Sequence, residues 1–150
     1  MIRVQRDDFD VGLEIANLTR GKTTIGGIVT FVGTVRDAGG ADAIQSMTLE
    51  YYPGMTEDEL TAIEAEANKR WKLEASLIVH RFGKLLPGER IVLVVTAASH
   101  RAAAFAANEF LVDWLKTKAP FWKQEETPQG ARWVEAQDSD DQAAKRWAKG

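Results

Sequence analysis

The chain has 150 residues, 45% of them hydrophobic and 27% charged, with a formal charge of -3. That length supports one compact core, the composition excludes a wholly disordered chain, and the charge excludes a global pull toward nucleic acid or anionic membrane. With no Cys and two His, the chain cannot hold a disulfide, a thiolate metal site, a cysteine nucleophile, a persulfide or a three-histidine metal site. No His/carboxylate spacing suggests a metal site either. Met1 to Asp10 lacks an apolar signal region, and no apolar run nears the roughly 20 residues that span a bilayer. The expectation is a soluble cytoplasmic protein.

Met1 to Gln5 alternates apolar and polar residues as a half-buried strand does. Phe9 to Leu18 reads as a short helix with Val11, Ile15 and Leu18 on one face and Gly21 as its stop. Thr23 to Val35 is rich in β-branched residues and predicts a long strand, with Gly26-Gly27 marking a bulge or a close backbone approach. The polar stretch from Arg36 to Asp42 reads as a mobile loop. Ile44 to Tyr52 is strand-like and ends at Pro53-Gly54. A helix follows, with Thr56 and Glu59 as a capping box and Leu60, Ile63, Ala67 and Trp71 as its apolar stripe.

Leu77 to Phe82 and Arg90 to Ala97 read as two strands joined by a turn at Pro87-Gly88. The second holds the unbroken run Ile91 to Val95, which predicts a central strand buried on both faces. Ser99 is the expected N-cap of a second long helix, apolar on most sides and therefore deeply buried or shared with another subunit. Ala119-Pro120 ends it. Phe121 to Glu135 reads as two strands around Thr127-Pro-Gln-Gly130. Residues 138–150 form a polar tail with a short helix expected around Ala143 to Trp147. The sum is a single α+β domain over residues 1–150.

Three places offer chemistry. Ser99-His100-Arg101 puts two donors suited to phosphate where a helix N-terminus favours an anion. The same residues fit, about equally well, a capped surface helix whose Arg pairs with an acid. Lys116 follows Glu109 and Asp113 on the one polar strip of the second helix, and Lys123 follows a stiff Pro-Phe-Trp turn. Partial desolvation would suit Lys116 to catalysis, whereas on the residues alone a simple pair with Asp113 is the favoured reading. Arg36 stands where a long strand becomes a loop, a common place for ligand-binding groups, though a lone Arg there is more often a surface residue. His80, inside an apolar strand, reads as structural. The glycines match no phosphate-binding or dinucleotide fingerprint, and the five Trp read as core or interface.

Phe31-Val-Gly-Thr-Val-Arg36, Leu49-Glu-Tyr-Tyr-Pro-Gly-Met55, His80-Arg-Phe-Gly83, Pro87-Gly88-Glu89, Ser99-His100-Arg101 and Leu115-Lys-Thr-Lys-Ala-Pro-Phe-Trp-Lys123 occur in an order that resembles the large, catalytic subunits of molybdopterin synthase. The resemblance extends to Arg132-Trp133-Val-Glu135 and so covers nearly the whole chain. It implies an α/β hammerhead fold, mainly antiparallel, with two long helices. The implied activity is a sulfurtransferase of molybdenum-cofactor biosynthesis, acting on cyclic pyranopterin monophosphate and adding two dithiolene sulfurs. The implied donor is the C-terminal Gly-Gly thiocarboxylate of a ubiquitin-like small subunit, with no permanently bound cofactor. The implied assembly is a central homodimer of large subunits within a heterotetramer. By this resemblance Lys116 and Lys123 are catalytic, and Arg36, His100 and Arg101 join them in binding substrate, partly across the dimer. Glu125, two residues beyond Lys123 on the same strand face, is a supporting candidate for pairing with that lysine. The alternatives are an idle dimeric scaffold for a ubiquitin-like partner and a general phosphate-binding module.

Overall fold

The computed structural model describes residues 1–37, 39, 43–134, 142 and 145–148. The chain order is β1 (Ile2–Gln5), α1 (Val11–Thr19), β2 (Gly27–Thr34), β3 (Ser46–Tyr51), α2 (Met55–Arg70), β4 (Leu73–Arg81), β5 (Gly83–Leu85), β6 (Arg90–Ala98), α3 (Arg101–Thr117), β7 (Phe121–Thr127) and β8 (Gly130–Val134). The strands form two sheets, ordered β1-β4-β6-β2 and β5-β3-β7-β8, and only the β1–β4 pairing is parallel. This is the expected α+β class, mainly antiparallel, with two long helices. Among the described residues no helix is long and apolar enough to cross a membrane.

The run Ile91 to Val95 lies in β6, flanked by β4 and β2. Its side chains alternate between two cores, because successive strand residues point to opposite faces. Val92 and Val94 pack with Ile78, Ala67, Phe110 and Leu111 beneath α2 and α3. Leu93 and Val95 pack with Leu77, Val79 and Phe9 beneath α1. A third cluster, Val35, Ile44, Leu49 and Leu85, holds the second sheet against the first, and Ile91 packs against both it and the α2/α3 core. Burying each such Val or Leu contributes about 1.5–3 kcal/mol.

Several boundaries differ from the sequence expectations for identifiable reasons. Helix α1 begins at Val11, because Asp10 caps it by accepting from the Leu13 N–H at 3.0 Å while Phe9 turns into the core. Strand β2 begins at Gly27, four residues later than the β-branched run suggests. Helix α2 is capped at Gly54, not Thr56: Gly54 takes φ 89°, and its N–H is bonded by the Glu57 carboxylate at 3.2 Å. Thr56 is buried instead, accepting from the Tyr52 N–H and donating to the Pro120 carbonyl, both at 3.2 Å. Strand β4 starts at Leu73, earlier than the apolar run. The segment between β4 and β6 is more than a turn, since β5 leaves the first sheet to pair with β3 before Pro87-Gly88 returns the chain.

The hairpin of β7 and β8 forms as expected, with Thr127 opposite Gly130. Helix α3 is open on part of its surface, where Phe105 is 60% exposed. The loop expected over 36–42 includes residues 38 and 40–42, which lie outside the described residues, as do residues 143 and 144 of the helix expected at 143–147.

Candidate functional site

The N-terminal end of α3 is set by backbone packing. Gly26 donates its N–H to the Ala98 carbonyl at 2.9 Å, and a Cβ on Gly26 would stand 2.0 Å from the Ser99 carbonyl oxygen. At Gly27 a Cβ would stand 3.3 Å from the Arg101 Cα. Gly26-Gly27 is therefore the close approach that the sequence offered as one of two choices. Ser99 is not the cap: His100 occupies that position with extended backbone and no side-chain capping bond, because α3 starts one residue later than expected. His100 and Arg101 are exposed, and no acidic residue stands in the first turn. Free N–H groups, a dipole end, an imidazole and a guanidinium thus share one exposed point suited to an anion.

Side chains set the other end of α3. Lys116 is exposed, so the desolvation the sequence suggested does not occur within this chain. Its expected partner Asp113 accepts instead from Arg146 and Trp147 of the C-terminal segment. After Thr117 the chain turns through Ala119-Pro120 into β7, whose Lys123 lies between Leu49 of β3 and Val134 of β8. Glu125 shares the face of Lys123, as the two-residue spacing requires, and its carboxylate pairs with Arg132 across the hairpin at 3.0 Å.

Within reach of both lysine charges lies a residue that reads from the sequence as merely structural. His80, at 5% exposure, stacks on Phe121 with ring centroids 3.7 Å apart and planes 15° from parallel. Phe121 in turn faces Tyr51, which meets Phe82 at 4.5 Å, so an aromatic row ties the end of β4 to the second sheet. The His80 Nδ1 lies 2.9 Å from the Arg81 carbonyl; a carbonyl only accepts, so Nδ1 carries the proton. Burial pushes His80 from its usual 6.5 down to about 3, against the raising effect of that hydrogen bond, and the Lys123 and Lys116 charges push it down further. The ring is neutral at physiological pH, and both lysines lie close enough for their charges to reach it. The sequence carries no signal for this stack, because His80 and Phe121 meet only through the pairing of two sheets.

Arg36 belongs to the lysine end. It follows Val35, whose N–H and carbonyl bond Glu89 and Gly88 beside the start of β6, and Thr34 is in register with Arg90. His80 is in register with Val92 at that same end of the sheet. His100 and Arg101 lie beyond Ala98, at the opposite end of β6. From Val92 to Ala98 the strand spans about 20 Å, and from Arg101 to Lys116 the helix spans about 22 Å. One chain therefore gathers Arg36, Lys116, Lys123 and His80 at one end and His100 with Arg101 at the other. Among the described residues no three His, Asp or Glu side chains gather where they could hold a metal ion.

The family model described as "MoaE protein" matches residues 4–118. A molybdopterin synthase catalytic subunit from Ralstonia nicotianae is 53% identical over 146 residues, covering 97% of this chain and 83% of that one. A structure of the molybdopterin biosynthesis MoaE protein from Burkholderia ambifaria superposes with a TM-score of 0.82 at 53% identity, covering 98% of this chain and 97% of that one. The crystal structure of molybdopterin synthase from Staphylococcus aureus superposes with a TM-score of 0.80 at 28% identity, over 88% of this chain and 95% of that one.

Proposed function

The chain belongs to the MoaE protein family, and from that premise we propose that it catalyses the reaction for which its relatives are named, as the sulfurtransferase subunit that makes molybdopterin. The substrate is cyclic pyranopterin monophosphate, which gains two dithiolene sulfurs. The relatives are named as a subunit, so a second chain is part of the reading: a ubiquitin-like small subunit whose C-terminal Gly-Gly thiocarboxylate brings the sulfur. A chain with no Cys cannot carry that sulfur itself, and the reading needs no resident cofactor. We place the reaction in the cytoplasm.

The observation that carries this reading is that Lys116 and Lys123 stand at the same end of the sheet as a buried neutral imidazole, near enough for both charges to act on it, where Arg36 emerges. Two ammonium groups at one end of the sheet suit a thiocarboxylate and the negative charge that develops as its sulfur leaves. In this reading Lys116 orients the thiocarboxylate and assists proton movement, and Lys123 contacts pterin and tail. Glu125, bonded to Arg132, supports the strand that presents Lys123. Arg36, His100 and Arg101 hold the substrate phosphate. No small pterin bridges the roughly 20 Å between the two ends of one β6 strand, so His100 and Arg101 come from a second copy. That copy has a surface to meet: β2 is an edge strand of eight residues, Ile28 on it is 42% exposed and Phe105 on α3 is 60% exposed. This supports the homodimer at the centre of the heterotetramer.

The test is a reconstitution from purified protein, substrate and thiocarboxylated small subunit, with a carboxylate-ended partner as control. Dithiolene product is expected only with the thiocarboxylate. A stable complex that makes no product would replace the enzyme with an idle scaffold.

A further inference from the structure

The described part of the C-terminal segment grips the helix that carries Lys116. Arg146 donates from Nη2 to Asp113 Oδ2 at 2.8 Å and also bonds Glu109. Trp147 donates from Nε1 to the same Asp113 oxygen at 2.6 Å. The Trp147 ring is itself held, edge-on to Trp71 and Phe110 at 5.7 Å each, and its carbonyl accepts from Arg70 Nη1 at 2.8 Å. Asp113 is 15% exposed, so these donors supply hydrogen bonds that water supplies poorly there.

Glu109, Asp113 and Lys116 follow one another on a single strip of α3, four and three residues apart. An acid one turn N-terminal to a lysine is the favourable order for a helical ion pair. Yet among the described residues Lys116 makes no ion pair, and Asp113 is engaged by Arg146. A guanidinium and an indole N–H on one carboxylate oxygen outcompete a single flexible ammonium.

We propose that Arg146 and Trp147 are positioning residues for Lys116: by holding the Asp113 carboxylate they keep it from pairing with the lysine and leave the ammonium free for an incoming anion. This rests on the reading of Lys116 as a catalytic group. Glu109 does not substitute for Asp113, because it lies seven residues from Lys116, about 10 Å along the axis.

The experiment measures two things on the full chain: the rate at which Lys116 is acylated by a soluble amine-reactive ester, read by mass spectrometry, and kcat in the reconstituted reaction. In Arg146→Ala/Trp147→Phe, Asp113 is released toward Lys116, and both rates fall about 2- to 5-fold, the range of an exposed helical ion pair. Adding Asp113→Asn restores both, while Asp113→Asn alone leaves both at their original values. That rescue is what a merely structural anchor would not give. Arg146→Ala alone keeps the indole in the core and shifts both rates the same way by less, which covers the case of a double variant that fails to fold. Unchanged acylation of Lys116 in the released variants, or no rescue by Asp113→Asn, overturns the proposal. Acylation is independent of turnover, so if Lys116→Ala were to keep full activity, the catalytic reading would fall while the acylation rates still decided the clamp.

Discussion

At its N-terminal end α3 is placed by backbone: two glycines let β2 pass within contact of Ser99 and Arg101, and the His100 and Arg101 side chains project into solvent. At its C-terminal end it is placed by side chains: a buried imidazole stacked on Phe121, a Trp wedged against Phe110, and an acid held by Arg146. The first arrangement suits anchoring a fixed anion, since the donors need only be present at an open helix end. The second suits a step in which charge moves, since preorganised groups cost no reorganisation during reaction. Each of the following variants separates the two ends.

The largest effect is expected at the lysine end. Lys116→Ala should lower kcat by about 10²- to 10³-fold, the scale seen when one preorganised donor to a developing anion is removed. Partner binding, followed by titration calorimetry, should be unchanged. Unchanged turnover would remove Lys116 from the catalytic step. At the anchoring end Arg101→Ala should act on KM, raising it about 10- to 100-fold with little change in kcat, as loss of a charge-assisted hydrogen bond to phosphate requires. The two variants also complement each other if the site is shared. At limiting substrate, mixed dimers of Lys116→Ala and Arg101→Ala chains carry one intact site, so an equimolar mixture should recover about a quarter of the original activity. A site confined to one chain would recover none.

A smaller effect tests the backbone half of the contrast. Gly26→Ala forces a Cβ to within 2.0 Å of a carbonyl oxygen that no side-chain rotation can move. It should cost about 3 kcal/mol in urea unfolding and raise KM by displacing His100 and Arg101. Gly27→Ala, with 3.3 Å to the Arg101 Cα, should cost distinctly less. Equal costs at the two glycines would mean that the crossing is not what places this end of α3.

The same contrast governs what could be read from the sequence. Features decided by neighbours in the chain were legible: the apolar run of β6, the β7–β8 hairpin, the Gly26-Gly27 approach, and the paired His100 and Arg101 at a helix start. Cap assignments slipped by a residue or two, because Gly54 and His100 take the cap positions that Thr56 and Ser99 suggest by composition. Features decided across the fold were not legible. The division of strands into two sheets depends on β5 leaving one sheet for the other. The neutral imidazole at the lysine end depends on a stack between those sheets. The fate of Asp113 depends on Arg146, 33 residues further on, where helical spacing alone points to Lys116. The lysines themselves stand out only through the family resemblance, since their spacing also fits an ordinary solvated helix end.

The buried imidazole gives the lysine end a pH signature that the anchoring end lacks. In the unfolded chain His80 takes up a proton near 6.5, whereas in the folded chain burial and the two lysines hold it neutral down to about 3. Between those values the unfolded state binds more protons, so this group's contribution to stability is complete above pH 6.5 and is lost as the pH falls toward 3. At its steepest the loss is about 1.4 kcal/mol per pH unit for one proton. His80→Phe keeps a flat ring against Phe121 but cannot titrate. It should cost about 1 kcal/mol at pH 7 for the lost bond to the Arg81 carbonyl. Below pH 6 its stability should fall less steeply than that of the natural chain, so that the two curves cross. Asp8, which Arg90 holds down to about 2, titrates below this window and is present in both chains, so it cancels in the difference. Urea unfolding at half-unit steps from pH 7 to 4.5 makes the comparison. Parallel curves would mean that His80 takes up its proton in the folded state as readily as in the unfolded one, and that burial and the two lysine charges do not hold the ring on Phe121 neutral.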